Sequence, residues 1–118
     1  MKSSNRSYSD SQEDRIAKLT GGQVQRNSGG TRFGGGDVHT KYCLIEAKTP
    51  TKSQKSFTIE KDWLDKAQEQ AFQQGKHIGI VAFRFDTEYK SPNYFILDER
   101  TFLQFLEYLE RENADGHL

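Results

Sequence analysis

Gly36-Asp37-Val38-His39-Thr40-Lys41-Tyr42-Cys43-Leu44-Ile45-Glu46-Ala47-Lys48 is the stretch on which the reading of this chain turns. An acidic residue opens a β-type run, an apolar segment follows, and a carboxylate and a lysine two positions apart close it. Side chains alternate across a strand, so Glu46 and Lys48 emerge on one face. Two carboxylates and an ammonium gathered together are costly to bury unless they are paired or hold a metal. A divalent cation gripped by Asp37 and Glu46, with Lys48 beside an attacked phosphate, accounts for all three charges. Glu-x-Lys alone describes a solvated surface strand equally well. The preceding aspartate and the apolar flanks are what favour a site.

Working outward, residues 27–36 contain five glycines in ten positions and read as a mobile loop leading into Asp37. Glycines let backbone amides approach a phosphate closely, and Arg32 offers a bidentate contact. Arg26 and Ser28 stand beside it. No Gly-Lys-Ser/Thr follows and a strand comes next, so the loop is not a phosphate-binding P-loop. A flexible connector is the alternative, but the position of the loop beside Asp37, with Arg26 and Arg32, favours substrate contact. Beyond Lys48, Thr49-Pro50 ends the strand, and Lys52, Ser53 and Lys55 populate a polar loop suited to a nucleic-acid backbone or to water.

The rest of the chain supplies the frame. Residues 10–19 read as a helix with Asp10 as cap, Glu13 at capping-box spacing and Gly21-Gly22 as the stop. Residues 1–9 read as a flexible polar tail. Residues 23–26 form a short strand; 37–39 and 41–48 are two strands or one bent element. Residues 59–74 carry the helical stripe Trp63, Leu64, Ala67, Ala71 and Phe72, with Gly75 as terminator. Residues 78–85 make a buried, nearly continuous apolar strand. Residues 93–97 add another strand, and Asp98 caps a helix to residue 112 whose stripe is Phe102, Leu103, Phe105, Leu106 and Leu109. Phe83, Phe85, Tyr94 and Phe95 are assigned to the core. The order α-β-β-β-α-β-β-α predicts an α/β (α+β) fold, a mixed sheet flanked by helices, as a single domain over residues 10–118.

Composition narrows the function. The 118 residues carry no net charge, which by itself argues against nucleic acid. The halves differ, however: residues 1–55 hold ten Lys and Arg against five Asp and Glu, a net of +5, and residues 56–118 hold the compensating −5. One basic face for phosphates and one acidic face for water is the implied division. The sequence has no apolar run of membrane-crossing length and no secretory-type hydrophobic leader, so no membrane partner is expected. A single cysteine, Cys43, forms no internal disulfide, which makes a reducing, cytoplasmic setting the default.

Gly36-Asp37 with Glu46-Ala47-Lys48 resembles the core motif of the PD-(D/E)XK nuclease superfamily, with glycine in place of the motif's proline. The Ser-Gly and basic loop before Asp37 is similar to that of small archaeal- and phage-type Holliday-junction resolvases. The likeness covers most of residues 10–85, although the chain is less basic than a typical resolvase. It implies a restriction-endonuclease-like core and a Mg²⁺-dependent, structure-selective DNA endonuclease, with Mn²⁺ able to substitute. The metal ligands would be Asp37, Glu46, the Ala47 carbonyl and, from the first helix, Glu13, with Asp14 as fallback. Glu13 is equally well explained as the capping-box partner. Lys48 would orient the attacking water or offset charge on phosphorus. Gln68 matches the position of a polar active-site residue on the following helix, though a surface glutamine needs no such role. His39 shares the face of Asp37 as a second ligand, a proton carrier or a hydrogen-bonded structural histidine.

The implied partners are branched DNA, in particular a four-way junction, and a second copy of the chain, because two symmetric cuts require two sites about a two-fold axis. Phe72, Phe102 and Phe105 are the candidates for that dimer surface. A restriction-like, nicking or repair nuclease is the nearer alternative, and a non-catalytic nucleic-acid-binding module the farther one. A bacterial, archaeal or phage origin fits such an enzyme by analogy.

Overall fold

A computed structural model describes the backbone of residues 4–26 and 36–114. The elements are α1 (Ser4–Thr20), β1 (Gln23–Arg26), β2 (Gly36–His39), β3 (Cys43–Lys48), α2 (Lys61–Gln73), β4 (Ile78–Phe83), β5 (Tyr94–Ile96) and α3 (Glu99–Ala114). Their order is the expected one, and they form an α+β fold with a five-stranded mixed sheet, β1-β2-β3-β4-β5. Strands β3 and β4 are parallel, and the other neighbours are antiparallel. A parallel pair needs a crossover, and α2 provides it.

The register sorts side chains between two faces. Cys43, Ile45 and Ala47 stand level with Ile78, Ile80 and Ala82. These, with Val38 and Ile16 of α1, make the apolar core on one face. On the other, Leu44, Glu46 and Lys48 stand level with Gly79, Val81 and Phe83, and α2 lies against them. At Gly79 the two elements touch: a Cβ there would collide with the Ala67 carbonyl oxygen. Only glycine permits that approach.

Helix α1 begins six residues earlier than the sequence suggests, so the expected tail is helical from Ser4 and only residues 1–3 of it lie outside the described set. Asp10 is buried in mid-helix and is not a cap, which also removes the capping-box role of Glu13. Tertiary contacts override the weak local propensity. Arg84, fully buried just after β4, donates to the carbonyls of Tyr8, Thr87 and Glu88 and to the Ser11 hydroxyl. Gln12, also buried, donates to Asn93 Oδ1 at 2.9 Å and accepts from the Thr49 hydroxyl. Gly21 then ends the helix at φ 72°.

Helix α3 starts as expected, with the Thr101 amide donating to Asp98 Oδ1 at 2.7 Å. The two Thr101 hydrogen bonds hold the Asp98 carboxyl below the usual range. Its apolar stripe does not behave as expected. Thr101 is the sole buried residue of the helix, and Phe102, Leu103, Phe105, Leu106 and Leu109 are exposed rather than packed. Tyr94 and Phe95 are likewise surface residues, while Phe83 and Phe85 are half-buried. Among the described residues, no helix is long and apolar enough to cross a membrane.

Candidate metal and phosphate site

The β2–β3 ladder places Asp37 directly opposite Glu46, with Val38 opposite Ile45 and His39 opposite Leu44. Like charges facing each other across an antiparallel pair destabilise it, so the sheet keeps these two carboxylates together at a cost. Among the described residues, β2 pairs no further along β3 than Glu46. Ala47 and Lys48 stand beyond the described β2 pairing, level with Ala82 and Phe83 of β4. The Ala47 side chain is buried in the core under α1, which leaves its backbone as the group available to a ligand.

Lys48 is held from two sides. Its Nζ lies 3.4 Å from Glu46 Oε1 and 4.6 Å from the centre of the Trp63 ring on α2, a cation–π distance. Trp63 belongs to an aromatic group with Phe57, whose ring lies tilted 5.0 Å from that of Phe83. In the sequence Trp63 reads only as part of a helical stripe. Its contact with Lys48 depends on how α2 packs on the sheet, for which the sequence carries no local signal.

Glu13 is fully buried on α1, and its charge reaches Asp37. Burial first, then Glu46, then Glu13 push the Asp37 carboxyl from 3.8 up to about 6, against the opposing pull of Lys48. Gln12, through Thr49, ties this part of α1 to the residue following Lys48. The sequence gives no cue for Gln12, since a glutamine in a helix is ordinarily solvated.

His39 shares this face, with Nε2 3.9 Å from Asp37 Oδ2, beyond hydrogen-bond reach. That nitrogen is buried without a hydrogen-bond partner, so the hydrogen-bonded structural role expected of His39 is not seen at Nε2. Burial and the neighbouring Lys76 ammonium hold His39 below its ordinary value.

Other expected residues fall elsewhere. The Gln68 amide is engaged by Gly79, whose N–H it accepts at 3.4 Å and whose carbonyl it reaches at 3.1 Å, and by Asp98 at 3.3 Å. It joins α2 to β4 and α3 instead of pointing to the carboxylates. Lys52, Ser53 and Lys55 are exposed in the loop after β3, which the Gln54 amide anchors to the Phe85 carbonyl at 2.9 Å. Ser28, Arg32 and the Arg26 side chain lie outside the described residues.

The donor set suits a hard cation. Among the described residues, no three His, Cys, Asp or Glu side chains form a ready-made metal cage. Mg²⁺ needs none, because it keeps several waters and binds through one or two carboxylates plus substrate phosphate. Asp37 and Glu46 supply those carboxylates, and a cation between them would offset their repulsion.

The Asp37 shift has a measurable consequence. A carboxyl whose folded value is raised contributes stability that is complete below 3.8 and lost as the pH climbs through about 6. Two units correspond to about 3 kcal/mol; the partial exposure of the group reduces this to about 1–2 kcal/mol. Asp37→Asn should therefore raise the stability of the metal-free protein at pH 8 by about that amount and flatten its fall between pH 4 and 7. Urea denaturation across this range checks it; a variant curve parallel to wild type removes Asp37 as the source. Comparison with protein-family models, with curated proteins and with solved structures yields no match to this chain.

Proposed function

We propose that the protein is a metal-dependent DNA endonuclease of PD-(D/E)XK type, acting on branched DNA as a small Holliday-junction resolvase would. The observation that carries the proposal is the Asp37–Glu46 register, with Lys48 on the same face 3.4 Å from Glu46. Charges that cost stability in the free protein make sense where a cation and a phosphate neutralise them. Asp37 and Glu46 would hold Mg²⁺ or Mn²⁺, with the Ala47 carbonyl as a further ligand and Glu13 close behind. Bound there, the cation would polarise a phosphoryl oxygen and activate water.

The chain's own groups do the rest. Lys48, fixed between Glu46 and Trp63, presents an ammonium to the non-bridging oxygens of the phosphate, where charge builds during attack. Glu13 reinforces the negative potential at Asp37. Lys52 and Lys55, exposed on the loop that leaves the catalytic strand, lie within the +5 half of the sequence and suit backbone phosphates. Recognition by shape and phosphate position follows. Paired incisions call for two copies of the chain about a two-fold axis.

The test is cleavage of a labelled four-way junction and a matched linear duplex, in Mg²⁺, in Mn²⁺ and in EDTA. Symmetric, metal-dependent nicks in the junction alone are expected. Equal cutting of both substrates assigns the site to a broader nuclease. Binding without cleavage of either, in both metals, refutes the enzymatic reading.

A further inference from the structure

We propose that a recess between the end of α2 and the first turn of α3 binds a single-stranded nucleic acid. Phe72 and Tyr42 serve as stacking surfaces for unpaired bases, and Lys41, Lys76 and Arg100 meet the phosphates. Gln68, Phe72, Gly75, Lys76, His77 and Arg100 line a recess of about 470 Å³, within the range of about 300–1,000 Å³ usual for ligand sites. No carboxylate is among those lining residues. Phe72 is 83% exposed. A lone exposed ring is ordinary, but an exposed ring among cations is the pattern by which proteins hold single strands.

Short-range contacts build the surface. Gly75, at φ 74°, ends α2, and the Lys76 amide donates to the Ala71 carbonyl at 2.8 Å. That turn brings residues 76–77 against the segment entering β3. Lys76 Nζ donates to the Thr40 carbonyl at 2.6 Å, and the His77 amide donates to the Tyr42 carbonyl at 2.9 Å. An ammonium has three donors, so Lys76 is fixed in place with two left for a phosphate. The His77 ring lies 5.5 Å from that of Tyr42, and Lys41 Nζ lies 5.2 Å from the centre of the Tyr42 ring. Tyr42, itself 52% exposed, thereby extends the surface beyond the recess.

Charge and ring placement identify the occupant. Lys76 and Arg100 come from the half of the sequence with a net charge of −5, so the fold gathers cations here against the local average. Asp98, whose carboxyl feels the charge of Arg100, is already bonded to the Thr101 and Gln68 amides. A duplex or an acidic protein would use the cations and leave both rings bare, because only unpaired bases offer their faces to an aromatic ring. Tyr42 stands one residue before β3 and Lys48 ends it, a separation of about 20 Å along the strand. Binding here needs neither the carboxylates nor a metal.

Fluorescence anisotropy in EDTA, with labelled oligothymidylate of about 12 nucleotides, should show binding that falls about tenfold in Phe72→Ala. Arg100→Ala should reduce the slope of log affinity against log salt by about 0.7. Both side chains are exposed, so neither variant removes a packed group, and circular dichroism checks the fold. An abasic oligomer of equal length should bind more weakly and ignore Phe72→Ala, and polyglutamate should compete poorly. Absence of binding, unchanged affinity and salt slope in the two variants, or competition by polyglutamate equal to that of the oligomer overturns the proposal. The readout is separate from cleavage. A chain that binds the oligomer through Phe72 but cuts nothing keeps this inference and loses the nuclease reading, and one that cuts junctions without such binding does the reverse.

Discussion

On the nuclease reading proposed above, Glu46→Gln should lower Mg²⁺-dependent cleavage by at least about a thousandfold while leaving DNA binding intact or improved. The substitution keeps the shape of the side chain and deletes its charge. The interaction lost would be that of a carboxylate with the proposed divalent cation, together with the electrostatic hold on Lys48 3.4 Å away. Metal stabilisation of a developing phosphoryl charge amounts to several kcal/mol, so about 4 kcal/mol, or three powers of ten, is the expected scale. Asp37→Asn should do the same for the same reason. Binding behaves differently because phosphates meet one negative charge fewer at the mouth of the site. Glu13 acts on Asp37 through space, so Glu13→Gln should cost less than either. Single-turnover cleavage separates chemistry from binding. Cleavage by Glu46→Gln at the wild-type rate would remove the site from the reaction altogether.

The parts of this molecule visible in its sequence are those fixed by local chemistry. Alternation in residues 43–48 gives both the strand and the shared face of Glu46 and Lys48, because period-two patterning is a property of the backbone. Gly75, at φ 74°, ends α2 as its residue type demands. Asp98 caps α3 through a contact only three residues away. Asp37 opposite Glu46 is less local, yet the short turn between β2 and β3 leaves few registers open.

What was illegible depends on partners distant in sequence. The start of α1 is held by Arg84, whose contact with Tyr8 spans 76 positions. Gln68 looks like a free helix-surface glutamine until Gly79 brings β4 against α2. The stripe on α3 has helical periodicity, which shows that one side of the helix is apolar and says nothing about what covers it. Such a stripe implies packing against the sheet, and Thr101 is the one residue of the helix that is buried. One cue does lie in the sequence: Arg84 is the single charged residue of the run 78–85. A cation kept inside such a run is either at its end or bonded to something structural, and here it is both.

Arg84→Ala should destabilise the protein by about 3–5 kcal/mol. The guanidinium is entirely removed from water, and burial together with the nearby Arg15 holds it below its ordinary value. Three backbone carbonyls and a serine hydroxyl repay that cost. Truncation leaves those acceptors buried without a donor, at about 1–3 kcal/mol for each that water fails to reach, and opens a cavity as well. Arg84→Lys should recover only part of the loss, since one ammonium cannot span acceptors on both α1 and the turn of residues 87–88. The effect also reaches the site. Tyr8 and Ser11 precede Gln12 and Glu13 on one helix, so a loosened α1 shifts the carboxylate that raises Asp37. On the same nuclease reading, Arg84→Ala should therefore lower cleavage even under conditions where the chain stays folded, and the pH dependence of stability assigned to Asp37 should weaken in the same variant. Chemical denaturation at several pH values reads both. A loss below about 1 kcal/mol would mean that water replaces the guanidinium at its acceptors, and that α1 is held mainly by Ile16 and Gln12.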